Sequence, residues 1–330
     1  MWPGRPPPKV LAGPRTAAGD GAGTKMASDI GIELGRAAAA AAKRAAASVV
    51  RIDGGARYSA SGVVWSADGV VVTAGHGLHG ADEVALGLPD GSAARGEVAG
   101  RDPATDLAVV RTGASGLAPA AWAEGEPEVG ELVLAVTRPG RGPRAGLGVV
   151  ARTGGAWRTA GGGPVDRYVE LDVALQPGFS GGLAADLAGR GVGLTSAGLV
   201  RGTALAVPPP TLRRVVEAIL AHGEVRRGYL GLASLPVRLP PRAAALAGQE
   251  TALLVTAVEE ESPAGRAGLG LGDLLLALGG APLADLSDLW PALEEARIGS
   301  AVRARFVRGG AVQEAELVVG VRERARGARP

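Results

Sequence analysis

The sequence has no cysteine. That excludes disulfides and thiolate-bound metals, and it leaves the compartment open, because a protein of an oxidising space can simply lack the residue. Neither sign of charge dominates: 35 Lys and Arg stand against 33 Asp and Glu, a net +2. No strong field therefore draws nucleic acid or acidic lipid. The first 25 residues hold no apolar run long enough for a signal peptide or a membrane span. The chain as it stands thus reads as cytoplasmic, with Met26 as an alternative start. Histidine is scarce too: only His76, His79 and His222 are available as a base near neutral pH. Nothing in the pattern calls for a cofactor or a metal.

Three short segments stand in one order: Thr73-Ala-Gly-His76, Asp102-Pro-Ala-Thr-Asp106-Leu-Ala-Val, and Gln176-Pro-Gly-Phe-Ser180-Gly-Gly. A serine hydroxyl is a weak nucleophile until a base takes its proton. Histidine can be that base, and a carboxylate can fix its tautomer and stabilise the imidazolium. Glycines at 178, 181 and 182 allow a sharp turn, in which the N–H groups of Gly178 and Ser180 can converge on a developing oxyanion. The order His76, Asp106, Ser180 is that of chymotrypsin-like barrels. Gly178-x-Ser180-x-Gly182 also fits a nucleophile elbow, but that needs a helix after the serine and a downstream histidine. The stretch after Ser180 reads as a hairpin, and the downstream His222 ends an amphipathic helix. His79 reads as a surface neighbour.

At 330 residues the chain has room for about two domains. Residues 1–27, rich in Pro, Gly, Arg and Thr, read as a disordered N-terminal segment, and 28–47 as an Ala-rich leading helix. From Ser48 the texture changes to short β-runs such as Ser61–Trp65, Gly69–Thr73, Leu107–Arg111 and Glu131–Val136, with Ala67-Asp68-Gly69 and Pro89-Asp90-Gly91 as turns. This mainly β pattern suggests a barrel pair over 48–222, closed by a helix at Thr211–His222 with Gly223 as its stop. Residues 223–227 read as a linker. The second unit, 228–321, mixes strands at Ala252–Val258, Asp273–Leu278 and Ala301–Val319 with helices at Ser262–Gly268 and Ser287–Arg297, with Pro291 in the first turn of the latter. Residues 322–330 form a basic tail.

The combination resembles the HtrA/Deg-type serine proteases. The motifs that carry the likeness are those three segments with Leu205-Ala-Val-Pro208, then Arg227-Gly-Tyr-Leu-Gly-Leu232, Ser262-Pro-Ala-Gly-Arg-Ala-Gly-Leu269 and Gly272-Asp273. The resemblance implies a chymotrypsin/trypsin-like double β-barrel followed by an α+β PDZ domain. It implies an endopeptidase that cleaves unfolded or damaged proteins without ATP, usually as a homotrimer, in the periplasm or another extracytoplasmic space. It places His76, Asp106 and Ser180 as catalytic residues and Gly178 and Ser180 as the oxyanion hole. The primary pocket would be formed by Ala174, Ser196, Ala197 and Gly198. With Ala174 at its floor and no carboxylate there, the pocket should prefer aliphatic side chains. Tyr229, Leu230, Gly231 and Leu232 would bind a peptide C-terminus added as a strand.

Phe179 stands where the family usually has Asn, and Leu183 where it usually has Pro. The leading segment lacks the aromatics that often hold family trimers together. Phe179 motivates an alternative reading: a catalytically weak homologue that serves as a PDZ peptide-binding adaptor.

Overall fold

A computed structural model describes residues 21–54, 59–174, 176–294 and 297–321. The expected N-terminal segment lies outside these residues as far as 20, and so does the basic tail. Helix α1 spans Gly21–Ala46. It therefore begins within the stretch expected to be disordered, because its Ala-rich half can propagate helix back through Ala and Lys. Ala41 and Ala45 are buried, and the Arg44 guanidinium donates to the carbonyls of Leu187 and Ala188. Small side chains let this helix lie close to the second barrel.

The first barrel is closed by β1 (Val49–Asp53), β2 (Ala60–Ser66), β3 (Val70–Ala74), β4 (Glu83–Gly87), β5 (Ala93–Asp102) and β6 (Leu107–Thr112), in the order β1-β2-β3-β6-β5-β4. Its strands are rich in β-branched valine, and Val50, Ile52, Val64, Val71, Ala108 and Val110 fill one core cluster. The expected turns carry Gly69 at φ 97° and Gly91 at φ 90°, a region that favours glycine.

The second barrel starts with β7 (Leu132–Thr137) and β8 (Arg144–Gly154). A small ladder of β9 (Trp157–Arg158) and β10 (Pro164–Val165) then projects from it. β11 (Tyr168–Asp172), β12 (Leu183–Ala185), β13 (Gly191–Ser196) and β14 (Ala204–Val207) close the barrel in the order β11-β14-β13-β12-β7-β8. Helix α2 (Pro209–His222) buries Leu212, Val215, Val216 and Ile219. Each is worth roughly 1.5–3 kcal/mol relative to exposure. Gly223 stops the helix at φ 76°, its N–H donating to the Ile219 carbonyl.

The remaining unit is built on β15 (Gly228–Tyr229), β16 (Leu232–Arg238), β17 (Thr251–Val258), β18 (Leu274–Leu278), β19 (Ala281–Pro282), β20 (Ala301–Arg308), β21 (Ala311–Val318) and β22 (Gly320–Val321). Its main sheet runs β16-β17-β18-β20-β21, with β16 at one edge. Helices α3 (Pro241–Ala247) and α4 (Pro263–Arg266) flank it, and Ser262 caps α4 by accepting the Gly265 N–H. The helix expected at Ser287–Arg297 is instead a 3₁₀ helix at Leu286–Leu293, with Pro291 inside it. Asp285 and Asp288 form a capping box that starts the helix one residue earlier than expected. Pro291 then falls past the first turn, where it has no N–H to continue an α-helical ladder.

Candidate active site

His76 sits in a 3₁₀ turn, Gly75–Leu78, directly after β3. Asp106 sits just before β6, the strand paired with β3, so adjacent strand ends bring the two together. The His76 Nδ1 lies 2.7 Å from Asp106 Oδ2 and 2.9 Å from Oδ1. Facing a carboxylate, Nδ1 carries the proton, which leaves Nε2 as the acceptor. The His76 backbone N–H adds a bond to Oδ1 at 3.0 Å. Asp106 adopts φ 55°, a left-handed conformation that aspartate tolerates better than most residues. Its side-chain hydrogen bond, helped by its charge, raises the His76 pKa above 6.5, while burial pulls the other way. The His76 side chain remains 46% exposed, within reach of a substrate.

The expected pocket residues divide. Ser196 is fully buried, and its hydroxyl donates to Asp106 Oδ2 at 2.7 Å, which puts it behind the carboxylate rather than on an accessible wall. Gly198 packs on the His76–Asp106 pair: a Cβ there would stand 2.6 Å from Nδ1 and 2.8 Å from Oδ2, so any side chain would push the pair apart. The Ala197 N–H donates to Ser180 Oγ at 3.1 Å, and Ala174 is exposed.

Ser180 follows a tight turn. Pro177-Gly178 occupies its corner, with Gly178 at φ 80° and the Phe179 N–H donating to the Gln176 carbonyl at 2.9 Å. Proline then glycine is the residue pair that a type II turn selects. Gly178 also packs so close that a Cβ would meet Pro139 Cβ at 2.5 Å. Among the described residues, the N–H groups of Gly178 and Ser180 have no hydrogen-bond partner. Phe179 does not disturb the turn: its side chain is buried in the core of the second barrel beside Val133, Leu171 and Val192. Among the described residues Ser180 Oγ has no hydrogen bond with His76. Bonds of this kind often tighten only when substrate is bound. After Ser180 the chain enters the β12–β13 hairpin, not a helix, which removes the nucleophile-elbow reading. Exposed His79 ends the 3₁₀ turn at φ 46°, and His222 ends α2.

In the C-terminal unit, Tyr229, Leu230, Gly231 and Leu232 line a groove of about 550 Å³ between β16 and the 3₁₀ helix. The Leu230 carbonyl accepts from Ala264 N–H and the Gly231 carbonyl from Glu259 N–H, both at 2.8 Å. The N–H groups of Leu230 and Gly231 are unpartnered among the described residues. Gly231 has φ 76°, and a Cβ there would collide with the Ser262 side chain. Leu286, Leu289 and Trp290 supply the apolar wall.

Two contacts join the units whose pairing no sequence motif announces. Arg227 grips both oxygens of Asp102, whose side chain has no exposure. Trp290 covers Gly162, where a Cβ would collide with its ring. Neither partner of either contact is near the other in sequence, so no local signal points to them.

Residues 60–194 match the trypsin-like peptidase domain family and residues 229–319 the PDZ domain family. A probable periplasmic serine endoprotease DegP-like of Brucella suis is 34% identical over 238 residues, 69% of this chain and 46% of that one. Its counterpart in Ectopseudomonas mendocina is 32% identical over 270 residues, 79% and 56% of the two chains. The chain thus spans about half the length of these curated relatives. Among solved structures, the HtrA-type protease AlgW with a decapeptide superposes with a TM-score of 0.68 at 26% identity, covering 86% of this chain and 98% of that one. AlgW with a tripeptide gives 0.65 at 28% identity, covering 88% and 98%. Two closed six-stranded barrels followed by a PDZ domain, with these relatives and neighbours, identify the chain as a member of the HtrA/DegP-type family.

Proposed function

We propose that the chain is a serine endopeptidase that cleaves unfolded or damaged proteins without ATP and reads peptide C-termini with its PDZ domain. The observation that carries the reading is a serine turn with two N–H groups unpartnered among the described residues, whose Ser180 Oγ accepts from the Ala197 N–H next to Gly198, the residue packed on the His76–Asp106 pair. Ser180 Oγ attacks the scissile carbonyl while its proton passes to His76 Nε2. Asp106 holds Nδ1–H and stabilises the imidazolium. The carbonyl oxygen becomes an oxyanion facing the Gly178 and Ser180 N–H groups. Collapse breaks the C–N bond, and His76 returns its proton to the leaving amine. Water, deprotonated by the same histidine, then releases the acyl group from Ser180.

In the second domain, the N–H groups at Leu230 and Gly231 receive a terminal carboxylate, and the peptide extends along the open edge of β16. The neighbouring AlgW structures carry a decapeptide and a tripeptide, which supports this use of the groove. A periplasmic site rests on the relatives' names. Among the described residues no helix is long and apolar enough to cross a membrane. A homotrimer rests on the family likeness.

A fluorophosphonate probe should label the full chain at Ser180, and casein should be cleaved. Ser180→Ala should lose both while remaining folded. Cleavage by a clean Ser180→Ala preparation would show that the nucleophile lies elsewhere. Absence of labelling in the unaltered chain would favour the adaptor reading.

A further inference from the structure

The two oxyanion-facing amides belong to a glycine-rich turn with Pro177-Gly178 at its corner. Two buried hydroxyls, one from each barrel, hold it. We propose that Ser61 and Thr195 are positioning residues: Thr195 aims the Ser180 N–H by pinning the Phe179 carbonyl of the same peptide unit, and Ser61, through the Gly178 carbonyl, fixes the turn that carries the Gly178 N–H. The inference rests on the endopeptidase reading above.

For Thr195 the geometry runs through peptide planarity; for Ser61 it runs through the closure of the turn. In a trans peptide the C=O and N–H point in opposite directions, so fixing one aims the other. Thr195 Oγ1 donates to the Phe179 carbonyl, and the Gly182 N–H donates to the same oxygen at 3.2 Å. That peptide unit ends in the Ser180 N–H, which is thereby turned the opposite way. Ser61 Oγ donates to the Gly178 carbonyl at 2.9 Å. The next N–H, of Phe179, closes the turn on Gln176, and the Gly178 N–H lies at the corner of that turn.

The proton count makes the Ser61 bond directional. A serine hydroxyl has one proton to give. Ser61 Oγ accepts the Arg138 N–H at 2.9 Å, which leaves that proton for the Gly178 carbonyl. Both Ser61 and Thr195 are fully buried, so water does not compete for these bonds. Arg138 is itself anchored: its guanidinium donates to the carbonyls of Val49 and Ala46 at 2.7 and 2.9 Å. Ser61 is thus fixed to the frame on one side and to the turn on the other. The Ser61 backbone faces the same turn, its N–H donating to the Ser180 carbonyl at 3.4 Å.

Neither hydroxyl touches the reacting atoms, so the signature is a loss of transition-state stabilisation with ground-state binding kept. In the full chain, Ser61→Ala and Thr195→Val should each lower kcat on a cleaved peptide by about tenfold or more, short of the ~10²–10³ seen when an oxyanion donor is removed outright. KM should stay within about twofold. Affinity for a matched peptide boronic acid, whose adduct occupies the oxyanion site, should fall by the same factor as kcat. Thr195→Ser keeps the hydroxyl and should restore kcat and boronate affinity. Unchanged kcat in both folded variants, with the unaltered chain active, overturns the proposal. So does a loss shared by kcat and KM, with a lowered Tm and no rescue by serine. If Ser61→Ala does not fold, the Thr195 pair decides the matter by the same criteria. An unaltered chain that neither cleaves nor reacts with fluorophosphonate would instead count against the endopeptidase reading.

Discussion

The serine turn and the PDZ loop solve a similar geometric problem with different support. Each places a glycine in the left-handed region, Gly178 at φ 80° and Gly231 at φ 76°, and each leaves two backbone N–H groups unpartnered among the described residues. Each is so tightly backed that a methyl group would collide, with Pro139 in one case and Ser262 in the other. The serine turn, however, is tied to both barrels, through Ser61 and Thr195. The PDZ loop is tied within its own domain, to Glu259 and Ala264. On the proposed roles, the donors that would meet a transient charge are held by more of the fold than those that would meet a resting carboxylate. Only interactions stronger in the transition state accelerate a reaction, and misdirected donors lose that advantage.

The sharpest way to test this comparison is at the aspartate that orients the base. Asp106→Asn should lower kcat by about 10⁴-fold, because an amide no longer enforces the tautomer. The sign of the accompanying pH shift follows from His76. Its pKa is raised by Asp106, and catalysis needs the neutral ring, so the acid limb of kcat/KM in the unaltered chain should lie above 6.5. In Asp106→Asn the limb should move down. A limb that stays in place would mean that another group limits the rate.

A smaller effect is expected where the two units meet. Asp102 is buried and paired with Arg227, and leaving such a carboxylate without its partner costs about 3 kcal/mol. Arg227→Ala should therefore lower Tm in thermal unfolding. Restoration of Tm by the further change Asp102→Asn would identify the uncompensated carboxylate as the cause, whereas the same Tm for Arg227→Ala and the unaltered chain would show the pair to be neutral.

On the PDZ side, amidating a peptide's C-terminus removes the charge that the loop is proposed to hold. Charge-assisted bonds contribute about 1.5–3 kcal/mol, so affinity should fall roughly tenfold or more. Equal titration curves for acid and amide would break the parallel between the two sites. The finest test is selectivity. On the resemblance that puts Ala174 at the floor of the primary pocket, where there is no carboxylate, a peptide library should show cleavage after Val, Ala or Leu. A profile dominated by Arg or Lys would refute that pocket assignment.

Much of this was legible because it is local. His76, Asp106 and Ser180 lie in short motifs at strand ends, and valine-rich runs between Asp-Gly turns announce the barrel strands. The supports were not legible because they depend on long-range contacts. Ser196 meets Asp106 across 90 residues and Ser61 meets Gly178 across 117. Nothing in Ser61-Gly-Val distinguishes a brace from a strand serine. The 3₁₀ helix reads as α-helical in sequence because the capping box at Asp285, which sets its start and with it the place of Pro291, is not evident there.

The seat of Trp290 on Gly162 has a practical consequence for engineering. The two modules look separable on paper, joined by a short connector, yet the indole leaves no space for a methyl group on the protease side. A foreign peptide-reading domain grafted after residue 227 would bring another side chain to that seat. Successful chimaeras should therefore exchange the 155–166 segment together with the domain, so that the graft boundary follows the indole rather than the connector.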